Sequence, residues 1–388
     1  MKPLLIVGAS ARAAAASAVR AGFEPWCADL FVDADLRAMV PDSVRCPIEQ
    51  YPVGLERILR SGPPGPWIYT GGLENHPKLI RKMAATRPLW GNGPAALRAC
   101  RNPFNIEHLL RQASLPALRV LATGAAVPAG GRWLRKPLRG SAGQGIAFAD
   151  AGTTVLSKSE YLQEFVEGSP MSAVFVRARG ATTLLGVTEQ LIGVEWLHAP
   201  PFRYCGNVGP VDVSESLRHE LLLTGQTLGD RCGLLGFYGI DFVLHDGRPW
   251  VVEVNPRYPA SVEVLELGLG LASLVDHRMA FDPSAAATPS AHPDRRTVAK
   301  AIVYAPRRVE MPRQSIVELI DAFGRLGAPV ATTVSCADVP HPGDVIAANW
   351  PILTLLAEGP DCGLCVSVLE QAAHRLVDTI VPRTDGSE

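Results

Sequence analysis

The sequence predicts an α/β protein that begins with a doubly wound unit. Three observations point there. Strand–turn–helix units run through residues 1–100. A hairpin signal lies in GIDFVLHDGRPWVVEVNPR, 239–257. A strand ending in a basic residue leads into a Gly-rich loop at 133–146. At the start, Pro3 to Val7 is an apolar strand, Gly8-Ala9-Ser10 turns the chain, and an Ala-rich helix follows from Ala11 to Ala21. Phe23 to Ala28 is a second strand ending at Asp29. Trp67 to Thr70 is another, followed by Gly71-Gly72-Leu73-Glu74-Asn75. Such units build a parallel sheet. Gly8 and Asp29 have the spacing of a dinucleotide site, but the glycine pattern is incomplete, so a structural role is preferred. Open α/β sheets bind ligands at the carboxyl ends of their strands, which makes Ser10, Glu74 and Asn75 candidate substrate contacts. Glu74 could equally cap the helix after Pro77.

The next segment, RNPFNIEHLLRQASLPALRV, reads as a helix that starts at Asn102-Pro103, with Leu109 and Leu110 on one face. Residues 101–281 are read as a second unit, with a glycine-rich part near 135–190 and a larger part at 191–280. Within the larger half, RYCGNVGPV reads as a Gly-rich turn, and Arg203 and Asn207 are candidate substrate contacts. Residues 282–297, rich in Ala, Pro and Ser, read as a linker. A C-terminal α+β module at 298–388 has a strand from Ala299 to Tyr304, a helix from Ser315 to Arg325 and a strand from Trp350 to Ala357. Cys365 to Ile380 reads as a strand followed by a helix.

The hairpin carries the chemistry. Asp-Gly between β-rich runs is a strong turn signal, and folding there brings Asp241 opposite Glu253. Glu253 and Asn255 are two apart and share a face of their strand. Three oxygen-bearing side chains then converge beside a sheet, a set suited to Mg²⁺, a hard cation that keeps contacts to nucleotide phosphates. A solvated hairpin with acids on its wet face is the alternative. Such a face would also carry Lys and Thr, whereas Glu253 sits inside the run VVEV, where a carboxylate needs a partner. In WLRKPLRGSAGQGI, Lys136 ends a short strand, and Gly140, Gly143 and Gly145 let backbone N–H groups approach phosphate oxygens. The loop is neither a Walker A nor a GxGxxG motif. In YLQEFVEGSPMSAVFV a strand runs into Glu-Gly-Ser-Pro and resumes, and its edge could meet a purine ring.

The order of these three segments resembles the ATP-grasp superfamily of carboxylate–amine ligases, over about residues 100–270. The resemblance implies an ATP-grasp fold preceded by a pre-ATP-grasp domain at 1–100. It places Asp241, Glu253 and Asn255 on two Mg²⁺ ions, with Mn²⁺ as a substitute, that bridge the phosphates of ATP. Lys136 and the glycine loop would contact phosphate, and Arg257 would steady the transferred phosphoryl group. Glu164, Phe165 and Val166 would cradle adenine. Where many relatives place an acid for the ribose hydroxyls, this chain has Ser169, Pro170 and Met171. The implied reaction joins a small-molecule carboxylate to an amine through an acyl phosphate. A carboxylase, a phosphotransferase and a non-catalytic ATP-binding module remain alternatives. The segments GGLENHP, GNGP, RNPF and EVNPRYPASVEVLE look like a carboligase-like group associated with methanopterin- and methanofuran-type coenzymes. That likeness implies glutamate or a glutamate-bearing precursor as substrate in C1-coenzyme biosynthesis.

Composition fits a multidomain enzyme. At 388 residues, two or three domains are expected. A net charge of −1 gives no electrostatic case for nucleic acid. No apolar run approaches the ~20 residues needed to span a bilayer, and MKPLLIVGAS is too short in its apolar part for a signal peptide. Eight scattered cysteines fit reduced thiols in a cytoplasm, with Cys362 and Cys365 a lone pair without a second one. The C-terminal module is expected to pack or to form a homodimer.

Overall fold

Consecutive residues Leu4 to Val7 are all fully buried, as a central parallel strand covered on both faces requires. In the computed structural model, which describes residues 2–152, 156–285, 295–312 and 332–381, they lie in β1 (Lys2–Val7). This strand pairs in parallel with β2 (Phe23–Asp29) and β4 (Trp67–Tyr69), and β3 (Val44–Arg45) joins β2. Leu4 and Ile6 pack on Ala11, Ala14 and Ala18 at and within helix α1 (Arg12–Arg20). Leu5 and Val7 pack on the other side, against α3 (Gly54–Ser61) and α4 (Pro77–Ala84). A short helix, α2 (Ala34–Met39), lies between β2 and β3.

Two helices follow, α5 (Pro94–Cys100) and α6 (Pro103–Gln112). The Asn102 side chain caps α6 by accepting from the N–H groups of Phe104 and Asn105, and Pro103 takes the first helical position, where no N–H is needed. A four-stranded antiparallel sheet then forms from β5 (Val120–Leu121), β6 (Arg132–Pro137), β7 (Ala147–Ala149) and β8 (Glu160–Phe165), in the order β5-β8-β6-β7.

The largest sheet is antiparallel and eight-stranded. It contains β9 (Ser169–Ala178), β10 (Ala181–Ile192), β11 (Tyr204–Gly209), β12 (Gly236–His245), β13 (Arg248–Asn255), β14 (Thr297–Tyr304), β16 (Thr333–Ala337) and β18 (Pro351–Gly359). The order is β13-β12-β9-β10-β11-β14-β18-β16, so strands from beyond residue 297 extend the sheet that carries the hairpin. β15 (Val309–Glu310) and β17 (Val345–Ile346) pair separately. Helix α7 (Glu215–Cys232) puts Leu217, Leu221 and Leu228 against Phe175, Tyr238 and Ile240 of this sheet. Helices α8 (Ser261–Leu269) and α9 (Leu274–Arg278) pack on its other side, against the N-terminal core.

Two expectations change. RYCGNVGPV is not a turn: Tyr204 to Gly209 is a strand inside the large sheet, paired with β10 and β14. Its glycines serve close packing, since a Cβ on Gly206 would lie 1.9 Å from the Lys300 carbonyl oxygen. Cys365 to Ile380 contains no strand. One helix runs from Cys362 to Ile380, started by Asp361, whose Oδ1 accepts from the Leu364 N–H at 2.8 Å. The expected helix Ser315–Arg325, and residues 286–294 of the expected linker, lie outside the described residues.

Candidate active site

The hairpin forms as its sequence demands. Asp246 and Gly247 both have positive φ, 49° and 74°, which matches the twist of the flanking strands. Asp241 then faces Glu253 across β12 and β13, with a bulge between Asp241 and Phe242. Asn255 Nδ2 donates to Asp241 Oδ2 at 2.8 Å, and Asn255 Oδ1 accepts from Arg257 Nη2 at 3.1 Å. Burial, and then the neighbouring Glu253, push Asp241 up to about 6, against hydrogen bonds from Ser172 and Gln190 and the charge of Arg257. Burial also raises Glu253, but the charges of Arg101, Lys136 and Arg257 outweigh it and hold this carboxyl below its ordinary value.

Two carboxylates side by side, one of them pushed toward protonation, form a site that favours a cation. Among the described residues no group of three or more His, Cys, Asp and Glu side chains could hold a metal ion. The donor set is two carboxylates and the Asn255 amide oxygen, which keeps a second lone pair beside its bond to Arg257. These are hard oxygen donors, so the residues fit Mg²⁺ better than a thiolate- or imidazole-seeking ion.

Lys136 approaches from the small sheet. It is only 6 % exposed, and its Nζ donates to Gln163 Oε1 at 2.8 Å. Burial lowers it to about 8, with Glu253 and Asp241 opposing and Arg101 adding to the effect. Gln163 Nε2 reaches across to the Val252 carbonyl at 3.4 Å and so ties the small sheet to the hairpin.

The Gly-rich loop is held on both sides. Gly140 O accepts from Asn75 Nδ2 at 3.1 Å and from Arg101 Nη2 at 2.9 Å. Ala142 O accepts from the Tyr204 N–H at 3.2 Å. Gly143 has φ +76°, and a Cβ there would sit 1.8 Å from the Phe202 carbonyl oxygen, so only glycine fits this contact.

A cleft of about 1500 Å³ opens between the two later sheets and the N-terminal unit. Lys136, Gly143, Asp241, Glu253, Asn255 and Arg257 line it. So do Ser10 and Asn207, and Glu164, Phe165 and Val166 at the end of β8. Gly140, Gly145, Glu74, Asn75 and Arg203 are not part of this lining. Glu74 does not cap α4. Its Oε1 accepts from Arg257 Nε at 3.1 Å, while its Oε2 is buried with no hydrogen-bond partner among the described residues. Glu164 is already engaged, with both carboxylate oxygens on Arg119. Asn207 is satisfied internally, through the Tyr204 hydroxyl, Thr188 Oγ1 and the Glu189 carbonyl. Arg203 lies 5.8 Å from the centre of the Tyr304 ring. Asp29 spends its carboxylate on the N–H groups of Ala11, Phe31 and Val32, which makes it a structural acid.

Sequence reasoning missed two side chains. Arg101 pairs with Glu253 while gripping Asn75 Oδ1 and Gly140 O. Its place just before the Asn102 cap was the available signal. Gln163, the residue before Glu164, was passed over because a neutral side chain in a strand carries no charge pattern.

Residues 100–261 match the family model for an ATP-grasp domain. No curated protein matches the sequence. Among solved structures, an L-amino acid ligase from Bacillus licheniformis is similar at a TM-score of 0.70 and 16 % identity, over 97 % of this chain and 98 % of that one. N5-carboxyaminoimidazole ribonucleotide synthetase from Thermotoga maritima gives 0.67 and 14 %, over 96 % and 98 %. The biotin carboxylase domain of 2-oxoglutarate carboxylase from Hydrogenobacter thermophilus, a dimer in complex with Mg-ADP, ADP and bicarbonate, gives 0.70 and 13 %, over 96 % and 89 %. At these identities the likeness speaks for fold, and it agrees with the family match: the chain has the ATP-grasp fold, with an ATP-grasp domain at residues 100–261.

Proposed function

We propose that this protein is an ATP-dependent carboxylate–amine ligase that works through an acyl phosphate and releases ADP and phosphate. One observation carries the reading. A buried lysine from one sheet, a facing carboxylate pair and an amide from another, and an arginine two residues past that strand all line one large cleft. In this reading the end of β8 receives adenine, and Lys136 and the glycine loop receive the phosphates. Asp241, Glu253 and Asn255 would hold two Mg²⁺ ions, whose chemistry is to neutralise phosphate charge.

A carboxylate oxygen of the acid attacks the γ-phosphorus and the bond to ADP breaks. The neutral amine then attacks the acyl carbon, phosphate leaves, and a proton is lost from nitrogen. No side chain is needed as a covalent nucleophile. Lys136 and Arg257 offer fixed positive charge where negative charge gathers, and their geometry is set beforehand by Gln163 and by Glu74 with Asn255. The glycine loop covers the phosphates and keeps water from the acyl phosphate.

The narrower reading, glutamate or a glutamate-bearing precursor joined in C1-coenzyme biosynthesis, is supported by the likeness of short motifs. The proposal also takes small-molecule partners, a homodimer and a cytoplasmic setting. No helix among the described residues is long and apolar enough to cross a membrane. The experiment is release of ADP and phosphate from Mg-ATP across pairs of acids and amines, with bicarbonate as a separate arm. Release that requires both an acid and an amine supports the ligase. Release with bicarbonate alone supports a carboxylase, and AMP in place of ADP contradicts the acyl phosphate.

A further inference from the structure

The cleft extends past the phosphate-binding residues toward a second group of charges. Helix α1, helix α8, strand β14 and the end of β16 meet there around a buried network. Arg12 pairs with Glu263, which also accepts from Lys300 Nζ at 2.7 Å. Arg12 Nε donates to Asp338 Oδ1 at 3.0 Å, and Thr354 Oγ1 donates to Asp338 Oδ2 at 2.6 Å. Asp35 accepts from the N–H groups of Asp338 and Val339, and Asp29 is occupied by backbone N–H groups. Each cation and each of these acids therefore has its partner.

Asp33 is the exception. It is 7 % exposed, lines the cleft, and its carboxylate has no hydrogen bond or ion pair among the described residues. It heads α2 without capping it. A buried carboxylate with no partner is costly. Burial, then the charges of Asp338, Asp29 and Asp35, push it up to about 9, with Arg12 opposing. His341 Nε2 meets the Val32 carbonyl at 2.8 Å, which ties the segment leading to Val345 and Trp350 to the residue before Asp33. Ile48, Val345 and Trp350 line the same cleft and are 51 %, 50 % and 43 % exposed, so their apolar surface is open to a ligand.

We propose that this end of the cleft is a specificity subsite for a cationic, hydrocarbon-bodied group of the substrate, with its ammonium on Asp33 and its apolar body against Ile48, Val345 and Trp350. The inference rests on the ligase reading for the role of the bound molecule, though not for its binding. At pH 7 an arriving ammonium displaces to the buffer the proton that the isolated Asp33 carboxyl otherwise holds, and the ammonium–carboxylate contact then supplies the partner that Asp33 lacks. Trp350 offers an aromatic face to a cationic, apolar group.

The test is calorimetric titration of the full chain at pH 7 without nucleotide. The probes are phenethylamine and its neutral counterpart 2-phenylethanol. Wild type should bind the amine more tightly, on the order of 10- to 100-fold. Asp33→Asn, isosteric at a position that makes no cap bond, should erase that preference and leave alcohol binding unchanged. Trp350→Ala, at an exposed position, should weaken both probes. Binding of neither probe, equal binding of the two by wild type, or an amine preference that survives Asp33→Asn would overturn the subsite. Mg-ATP titrated into the same three proteins separates the two claims. If wild type fails to bind Mg-ATP while the amine preference holds, the ligase reading falls alone. If Mg-ATP binds all three proteins and Asp33→Asn keeps the preference, the subsite falls alone.

Discussion

At the scale of single residues, Arg101 shows how one side chain can serve two parts of the site. Its guanidinium pairs with Glu253 and holds the loop through Gly140 O. An ion bound at Glu253 has to share that carboxylate with Arg101 or displace it. Lysine keeps the charge but cannot span both contacts. Arg101→Lys should therefore lower kcat/KM for Mg-ATP by on the order of tenfold, and an unchanged value would assign Arg101 to scaffolding alone. His277 gives a second residue-level prediction. Its Nδ1 accepts from the Phe237 N–H at 2.8 Å, so Nε2 carries the proton and donates to the Trp90 carbonyl at 3.0 Å. Burial lowers its pKa from 6.5 to about 4, against the bond to Trp90. The unfolded chain binds this proton before the folded one does. Stability should therefore fall as pH drops from about 6.5 to 4, by about 1.4 kcal/mol per pH unit. Chemical denaturation across that range, with His277→Gln as reference, checks it. A slope that persists in the variant would assign the loss to other groups.

At the scale of elements, the hairpin and the glycine loop differ in how openly the sequence declares them. Asp246-Gly247 fixed the turn, and the turn fixed the register, so the pairing of Asp241 with Glu253 was legible from spacing alone. Strand β6, ending near Lys136, and helix α6 with its Asn102 cap were legible for the same local reasons. The turn expected at RYCGNVGPV was not, because its glycines answer to the close approach of β14, a contact 94 residues away in sequence, from Gly206 to Lys300. The loop's dependence on Phe202 is equally non-local. Gly143→Ala would meet the Phe202 carbonyl and a left-handed backbone costing about 1–2 kcal/mol. The loop should shift, so kcat/KM for Mg-ATP should drop by at least tenfold while the melting temperature stays within a few degrees. A variant with wild-type kinetics would show that the loop does not need this contact.

At the scale of the whole molecule, one charge network crosses the chain. Arg12 comes from the first helix, Glu263 from α8, Lys300 from β14 and Asp338 from the end of β16. Glu263→Gln leaves Lys300 without its carboxylate and weakens the hold on Arg12. Breaking a buried pair in this way costs about 3–5 kcal/mol. Thermal and urea unfolding should both register the loss, and a change below about 1 kcal/mol would mean that Asp338 and water carry the cations instead. None of this network was visible in the sequence, since its members are separated by up to 326 positions, from Arg12 to Asp338. The central sheet shows the same limit. That β14, β18 and β16 continue the sheet of the hairpin follows from pairing, which composition at a linker does not reveal.

The central claim is that Asp241, Glu253 and Asn255 serve a metal-assisted phosphoryl transfer from ATP. Partner-dependent ADP release by Glu253→Gln beside wild type tests it most directly, with circular dichroism to confirm folding. The account predicts a folded variant whose release falls by at least 100-fold. A folded variant that keeps wild-type turnover would contradict it.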